Sequence, residues 1–63
     1  MNEEEFNNQM RKFLREVGVT SQQQIERAVA AAKKTSGQVR LRMQLTSPDI
    51  PLDHVVERTI DVE

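Results

Sequence analysis

The chain has 63 residues, of which 37% are apolar and 30% are charged, a composition typical of a globular protein rather than a disordered one. It has no cysteine and a single histidine, which excludes disulfide bonds and leaves no ligand set for a zinc site. The net charge of -1 argues against a dedicated nucleic-acid-binding protein, and a domain this small then depends on self-association to complete its core.

Residues 3–17 are predicted to form an α-helix, because apolar side chains recur there at the spacing i, i+4, i+7, i+8 and i+11. They are Phe6, Met10, Phe13, Leu14 and Val17. Three glutamates, Glu3-Glu4-Glu5, lie at the positive end of the helix dipole. Arg11, Lys12 and Arg15 lie towards the predicted end, where a solvated face matched to the dipole is favoured over a phosphate-binding patch.

A joint between two helices is predicted at Gly18. Glycine is common where a helix ends, because it adopts the left-handed conformation that many helix ends require. Ser21 fits the N-cap of a second helix, with Gln24 completing a capping box. Thr20 with Gln23 fits the same rule one residue earlier and stays open as an alternative. The expected motif is a helix-turn-helix-like joint.

The second helix is expected over residues 21–36. Its inner face keeps the helical spacing, and its alanines favour the helical state. The stripe consists of Ile25, Ala28, Val29 and Ala32. Ser36-Gly37 is predicted to stop the helix, with Lys33 and Lys34 complementing the dipole in its last turn.

After Gly37 the hydrophobic period changes from 3.6 to 2, which predicts strands over residues 38–46 and 54–62. In the first strand apolar and polar residues alternate. The apolar ones are Val39, Leu41, Met43 and Leu45. Ser47-Pro48-Asp49 and Pro51 separate the strands, because proline has no N–H group for a ladder.

The two strands are predicted to form an antiparallel hairpin. One register places Leu41 opposite Ile60 on the apolar side and Arg40 opposite Asp61 on the polar side. The same register puts Val39 opposite Val62, Leu45 opposite Val56, and Arg58 opposite Met43. The predicted fold is therefore α+β with the order ααββ, a single domain over residues 1–63 in which two amphipathic helices pack on one face of the hairpin.

No catalytic, cofactor-binding or metal-binding residue is assigned. His54 follows Asp53, but adjacent strand residues point to opposite faces, and no Ser or Cys nucleophile accompanies them. The chain also lacks a phosphate-binding loop and a dinucleotide fingerprint. We therefore expect a non-enzymatic protein without a cofactor.

Nucleic-acid binding is the alternative, because two helices followed by a hairpin resemble the later part of a winged helix. The contacts would come from exposed polar and basic side chains that can read bases or bind phosphate. They are Gln22, Gln23, Arg27, Lys33 and Lys34. Acidic residues offset this charge, and phosphate contacts dominate the affinity of such proteins, so nucleic acid is the less favoured partner.

The sequence also resembles a family of small, uncharacterised bacterial proteins, mostly proteobacterial. The likeness is carried by the segments FLREVGVTSQ (13–22), IERAV (25–29) and LDHVVE (52–57). That family has no assigned activity, so the resemblance implies a bacterial, cytoplasmic domain and transfers no catalytic or binding residue.

The remaining patterns agree with that location. No apolar run is long enough to span a bilayer, and Glu3-Glu4-Glu5 stands where a signal peptide would need basic residues. A lone hairpin has two open edges and is marginal in water. We therefore expect a cytoplasmic protein-interaction module that self-associates as a homodimer, with any other protein partner unspecified.

Overall fold

A computed structural model describes residues 2–63 of the chain. Its elements are α1 (Glu3–Ala31), β1 (Gln38–Thr46) and β2 (Asp53–Asp61). The chain forms two compact units, of which the first ends at Lys33 and the second spans Lys34–Glu63. The α+β class is as predicted, but residues 2–63 contain one helix where two were predicted. The assignment of residues 1–63 to a single domain stays a prediction.

The predicted joint at Gly18 is wrong, because α1 continues through it, and the separate helices 3–17 and 21–36 are wrong with it. A glycine inside a helix costs only about 1 kcal/mol relative to alanine. Stopping the helix would leave four N–H and four C=O groups to be satisfied at the new ends and would require a second nucleation. The helix therefore tolerates Gly18, and apart from the adjacent backbone of the helix and its two chain neighbours, a methyl group placed there would meet no atom within 4 Å.

The two predicted N-caps, Thr20 and Ser21, lie inside α1. The Thr20 hydroxyl Oγ1 donates a hydrogen bond to the carbonyl oxygen of Glu16 at 2.8 Å, so the polar group is satisfied within the helix. The helix begins instead at Asn2, whose side-chain oxygen accepts a hydrogen bond from the backbone N–H of Glu5 at 3.0 Å. This contact is a standard N-cap.

The end of α1 also differs from the prediction at Ser36-Gly37. Ala32 is the C-cap, and Lys33 follows it in the left-handed conformation with a φ of 55°. The backbone N–H of Ala32 donates to the carbonyl of Ala28 at 3.0 Å, which closes the final turn. Lys33 and Lys34 therefore come after the last turn and not within it.

The predicted match of basic residues to the helix dipole fails for the same reason. Arg11, Lys12 and Arg15 lie in the interior of α1, far from its carbonyl end. The helix has three glutamates in its first turn and no basic residue in its last. Only the N-terminal half of the expected dipole compensation is present.

β1 and β2 form the predicted antiparallel hairpin, with β1 at its predicted bounds and β2 one residue earlier than predicted. The register is shifted by two residues, so that Leu41 faces Arg58 and Arg40 faces Thr59. The predicted pair of Arg40 with Asp61 is therefore wrong. Because side chains alternate with a period of two, this shift leaves every residue on its predicted face.

Three polar contacts between the strands accompany this register. Arg42 Nε lies 3.3 Å from Glu57 Oε1, Gln38 Nε2 donates to Asp61 Oδ1 at 3.0 Å, and Gln44 Nε2 donates to Asp53 Oδ1 at 3.0 Å. All three lie on the polar face of the hairpin, and cross-strand pairs of this kind help to fix a register. The register predicted from sequence would have separated Arg42 from Glu57.

Gly37 lies at the start of the hairpin with a φ of 86°, in the region that favours glycine. Its carbonyl oxygen accepts a hydrogen bond from the N–H of Val62 at 2.9 Å, one step beyond the pair of Gln38 with Asp61. At the other end the chain turns between Thr46 and Asp53, where the N–H of Asp49 donates to Ser47 Oγ at 3.1 Å. A hydroxyl that caps a turn in this way is typical of serine.

Candidate interaction surface

One side of α1 carries most of its apolar residues, and we call this set the apolar face of α1. It consists of Phe6, Met10, Phe13, Leu14, Val17, Ser21, Ile25 and Ala28, and Ala32 continues it at the C-cap. Val29, predicted on the same stripe, is half-buried but lies about 100° around the axis from Ala28. Several members repeat after 11 residues, as Leu14 and Ile25 do. Eleven residues make three turns of about 3.67 residues each, so the face stays on one side along the whole helix. This repeat crosses Gly18 without a break, and it is the signal that indicates one continuous helix.

The apolar face of α1 remains open to solvent. Phe6 is 51% exposed, Phe13 51% and Leu14 50%, whereas Val17 and Ile25 are half-buried. The face is also unequal along its length, because its large side chains come before Gly18, with the exception of Ile25, and its small ones come after it. None of residues 2–63 is buried, so the described chain has no fully covered core.

The hairpin has an apolar face of its own, which we call the apolar face of the hairpin. It consists of Val39, Leu41, Met43, Leu45, Val56 and Ile60, together with Arg58 and His54. Met43 is 45% exposed and Ile60 47% exposed. The opposite face carries the polar contacts between the strands. The hairpin is therefore amphipathic, with an uncovered apolar side.

Comparison with known proteins gives one result. The model of the family of unknown function DUF6494 matches residues 1–63. The chain belongs to this family. No curated protein matches the chain, and no solved structure does. The resemblance found in the sequence is thus confirmed in one respect: the chain is a member of a family without a known function.

Membership of DUF6494 supplies no site residues, so the predicted nucleic-acid contacts are judged by their positions. Gln22, Gln23 and Arg27 lie on α1 and are exposed. At 3.6 residues per turn, Gln22 and Arg27 are about 140° apart around the axis, so they share no face. Gln22 Nε2 also donates to Glu26 Oε1 at 3.2 Å. Lys33 and Lys34 lie beyond the helix, and without a turn at Gly18 the helix-turn-helix geometry behind this prediction is absent.

His54 and Asp53 lie on opposite faces of the hairpin in this family member, as predicted. His54 is opposite Leu45, whereas Asp53 accepts the hydrogen bond from Gln44. Among residues 2–63, no group of three or more acidic or histidine side chains is placed to hold a metal ion. The expected lack of catalysis and of a cofactor stays a prediction.

Two surface depressions on α1 are open rather than enclosed. One of about 230 Å³ is lined by Asn2, Glu4, Glu5 and Asn8, and one of about 380 Å³ by Lys12, Arg15, Glu16, Val19 and Thr20. Each is bounded by side chains of one helix, whereas small-molecule sites surround most of the ligand surface. No helix within residues 2–63 has the length and apolar character needed to cross a membrane. The two apolar faces are thus the candidate functional surface.

Proposed function

We propose that the protein is a non-enzymatic interaction module that self-associates as a homodimer, in which a second copy covers exposed apolar surface. One observation carries this proposal. No side chain in residues 2–63 is buried, although Phe6, Phe13 and Leu14 each expose about half of their surface. Removing apolar surface from water is the dominant favourable contribution to folding and to most association.

Neither unit is expected to be stable with its apolar face in water. Helices draw most of their stability in proteins from packing of an amphipathic face, and an isolated two-stranded hairpin is marginal. Because disulfides are impossible in a chain without cysteine, association is the available source of additional stability. The net charge of -1 gives little electrostatic repulsion between copies.

The proposal follows the resemblance in the sequence for its setting, the bacterial cytoplasm. In that setting the dimer would act by binding another protein, through surfaces that dimerisation leaves free. Its polar hairpin face carries the pair Arg42–Glu57 and would remain in contact with solvent.

Sedimentation equilibrium at micromolar concentration tests the proposal directly. The expected mass is twice that of the 7.3 kDa chain. In far-ultraviolet circular dichroism, the helical signal is expected to decrease as the protein is diluted. Helix content that depends on concentration would link folding to association. A monomer that keeps its full helix content at the lowest measurable concentration would overturn the proposal.

A further inference from the structure

We propose that two copies of the chain pair through the apolar faces of α1, with the two helices antiparallel. This inference rests on the proposed self-association and adds the surface and the orientation. The residues of α1 favour a second copy of the chain as the partner that covers this face. When the second helix runs in the opposite direction, the two faces are complementary in side-chain size and the two helices are complementary in charge.

Side-chain size is the first observation. Before Gly18 the apolar face of α1 carries Phe6, Met10, Phe13 and Leu14, and after it Ser21, Ile25, Ala28 and Ala32. In an antiparallel pair Phe6, Met10 and Phe13 each meet a smaller side chain, so the distance between the helix axes can stay nearly constant. In a parallel pair, phenylalanine would meet phenylalanine at one end and alanine would meet alanine at the other. The gaps left at the alanine end would forfeit packing contacts.

One antiparallel alignment satisfies this rule for eight of the nine positions of the face and sets the ninth, Leu14, level with Gln24. It sets Phe6 level with Ala32 of the second copy, Met10 with Ala28, Phe13 with Ile25, and Val17 with Ser21. At 100° per residue, the two members of each pair lie symmetrically on either side of the middle of the face. Side chains placed in this way alternate across the contact, as packing between long helices requires. The 11-residue repeat keeps this contact continuous over a helix about 43 Å long.

Charge at the helix ends is the second observation. Glu3, Glu4 and Glu5 occupy the first turn of α1, and Lys33 follows its C-cap. The same alignment brings this acidic first turn to the end of the second copy's helix, where Lys33 and Lys34 follow. A parallel pair would instead place three glutamates beside three glutamates. Such charges contribute little to affinity but select the orientation.

Cysteine cross-linking tests the orientation, and the chain has no native cysteine to interfere. Two single variants, Met10→Cys and Ala28→Cys, are mixed, unfolded, refolded together and oxidised. In the antiparallel pair these two sites are level and can form a disulfide, which requires Cα atoms within about 7 Å. Two copies of Met10→Cys would be 18 positions apart along the axis, about 27 Å, and would not link.

The matched control uses Lys12→Cys with Glu26→Cys, which are level in the same alignment but lie on the far side of the helix. Thiols held side by side react at an effective concentration on the order of millimolar, so at micromolar protein the Met10–Ala28 heterodisulfide should form on the order of 100-fold faster than the control. Circular dichroism of each reduced variant establishes that it folds. Phe13→Cys with Ile25→Cys provides a second level pair if a variant of the first loses its helix.

The outcomes separate this inference from the proposed function. A heterodisulfide between positions 10 and 28, without a 10–10 disulfide, supports the antiparallel pair. A 10–10 disulfide means a parallel pair and overturns the inference while self-association stands. If the wild type is a dimer but the level cysteine pairs link no faster than the control pair, the dimer forms through another surface. This result also overturns the inference and leaves the proposed self-association standing. A wild-type monomer in sedimentation overturns both.

Discussion

The helix and the hairpin each contain one glycine, and the two glycines act in opposite ways. Gly37 has a φ of 86° and begins the hairpin, whereas Gly18 lies within α1 with no positive φ. Both were predicted to stop a helix. Glycine permits the left-handed conformation but does not impose it. What differs is the hydrophobic pattern, which keeps its helical period across Gly18 and changes to a period of two after Gly37.

The two regions also differ in what holds them in shape. Within α1 the side-chain hydrogen bonds are local, three or four residues apart, and the apolar face is exposed. The hairpin instead has contacts between distant residues, including the ion pair of Arg42 with Glu57. The helix should therefore respond most strongly to changes on its apolar face, and the hairpin to changes in backbone geometry and register.

The largest expected effect tests the dependence of α1 on its apolar face. Phe13→Ala should weaken dimerisation by about 3 kcal/mol or more, because truncating a phenylalanine that the proposed dimer buries removes apolar contact and leaves a cavity. That change raises the dissociation constant on the order of 100-fold, which sedimentation equilibrium can measure. Lys12→Ala, next in sequence but on the far side of the helix, is the matched control. Equal dissociation constants for the two variants would contradict a role for the face.

A smaller effect is expected at Gly37 in the hairpin. Gly37→Ala should destabilise the second unit by about 1 to 2 kcal/mol, because an L-residue is strained at positive φ. The added methyl group would lie 3.3 Å from Lys34 Nζ, but this flexible tip can move, so backbone strain is the main cause. Amide chemical shifts of β1 during thermal unfolding report the change. Ser36→Ala serves as the control, and an unchanged midpoint for Gly37→Ala would contradict the strain.

The matching change at Gly18 should have the opposite sign. Gly18→Ala is expected to stabilise α1 by about 1 kcal/mol, because alanine has the higher helix propensity and its methyl group meets no atom within 4 Å beyond the adjacent backbone of the helix and the two chain neighbours. Thermal unfolding followed by circular dichroism at a fixed protein concentration measures the gain. A loss of stability would indicate a left-handed turn at Gly18, the geometry predicted from sequence, and would break the contrast between the two regions.

Periodicity predicted most of the fold. The alternation after Gly37 gave both strands and their faces, and the apolar spacing before Val17 identified the start of the helix. The joint was predicted wrongly because Gly18, Thr20 and Ser21 were interpreted from local capping rules alone. Those rules describe how a helix can end, but not whether ending it costs more than continuing.

The candidate surface was predicted in part. The apolar residues of both faces were recognised from their spacing, and the expectation that the two faces cover one another within a single domain stays a prediction. The nucleic-acid contacts were argued from a helix-turn-helix joint that α1 does not contain, and a role of Gln22 and Arg27 in binding nucleic acid stays a prediction. The predicted register differs from the observed one by two residues, because the apolar residues of one face match equally well after a slip of two. Only the contacts of the polar face distinguish the two registers.

The smallest expected effect tests that register. A double-mutant cycle with Arg42→Ala and Glu57→Ala should give a coupling energy of about 0.2 to 1 kcal/mol, since the two side chains are directly opposite but more than half exposed. The same cycle with Arg40→Ala and Asp61→Ala should give no coupling, because Arg40 faces Thr59. Raising the salt concentration should reduce the first coupling by screening. Coupling between Arg40 and Asp61 instead would support the register predicted from sequence. Because both registers keep the same residues on each face, the apolar face of the hairpin would consist of the same residues in either case.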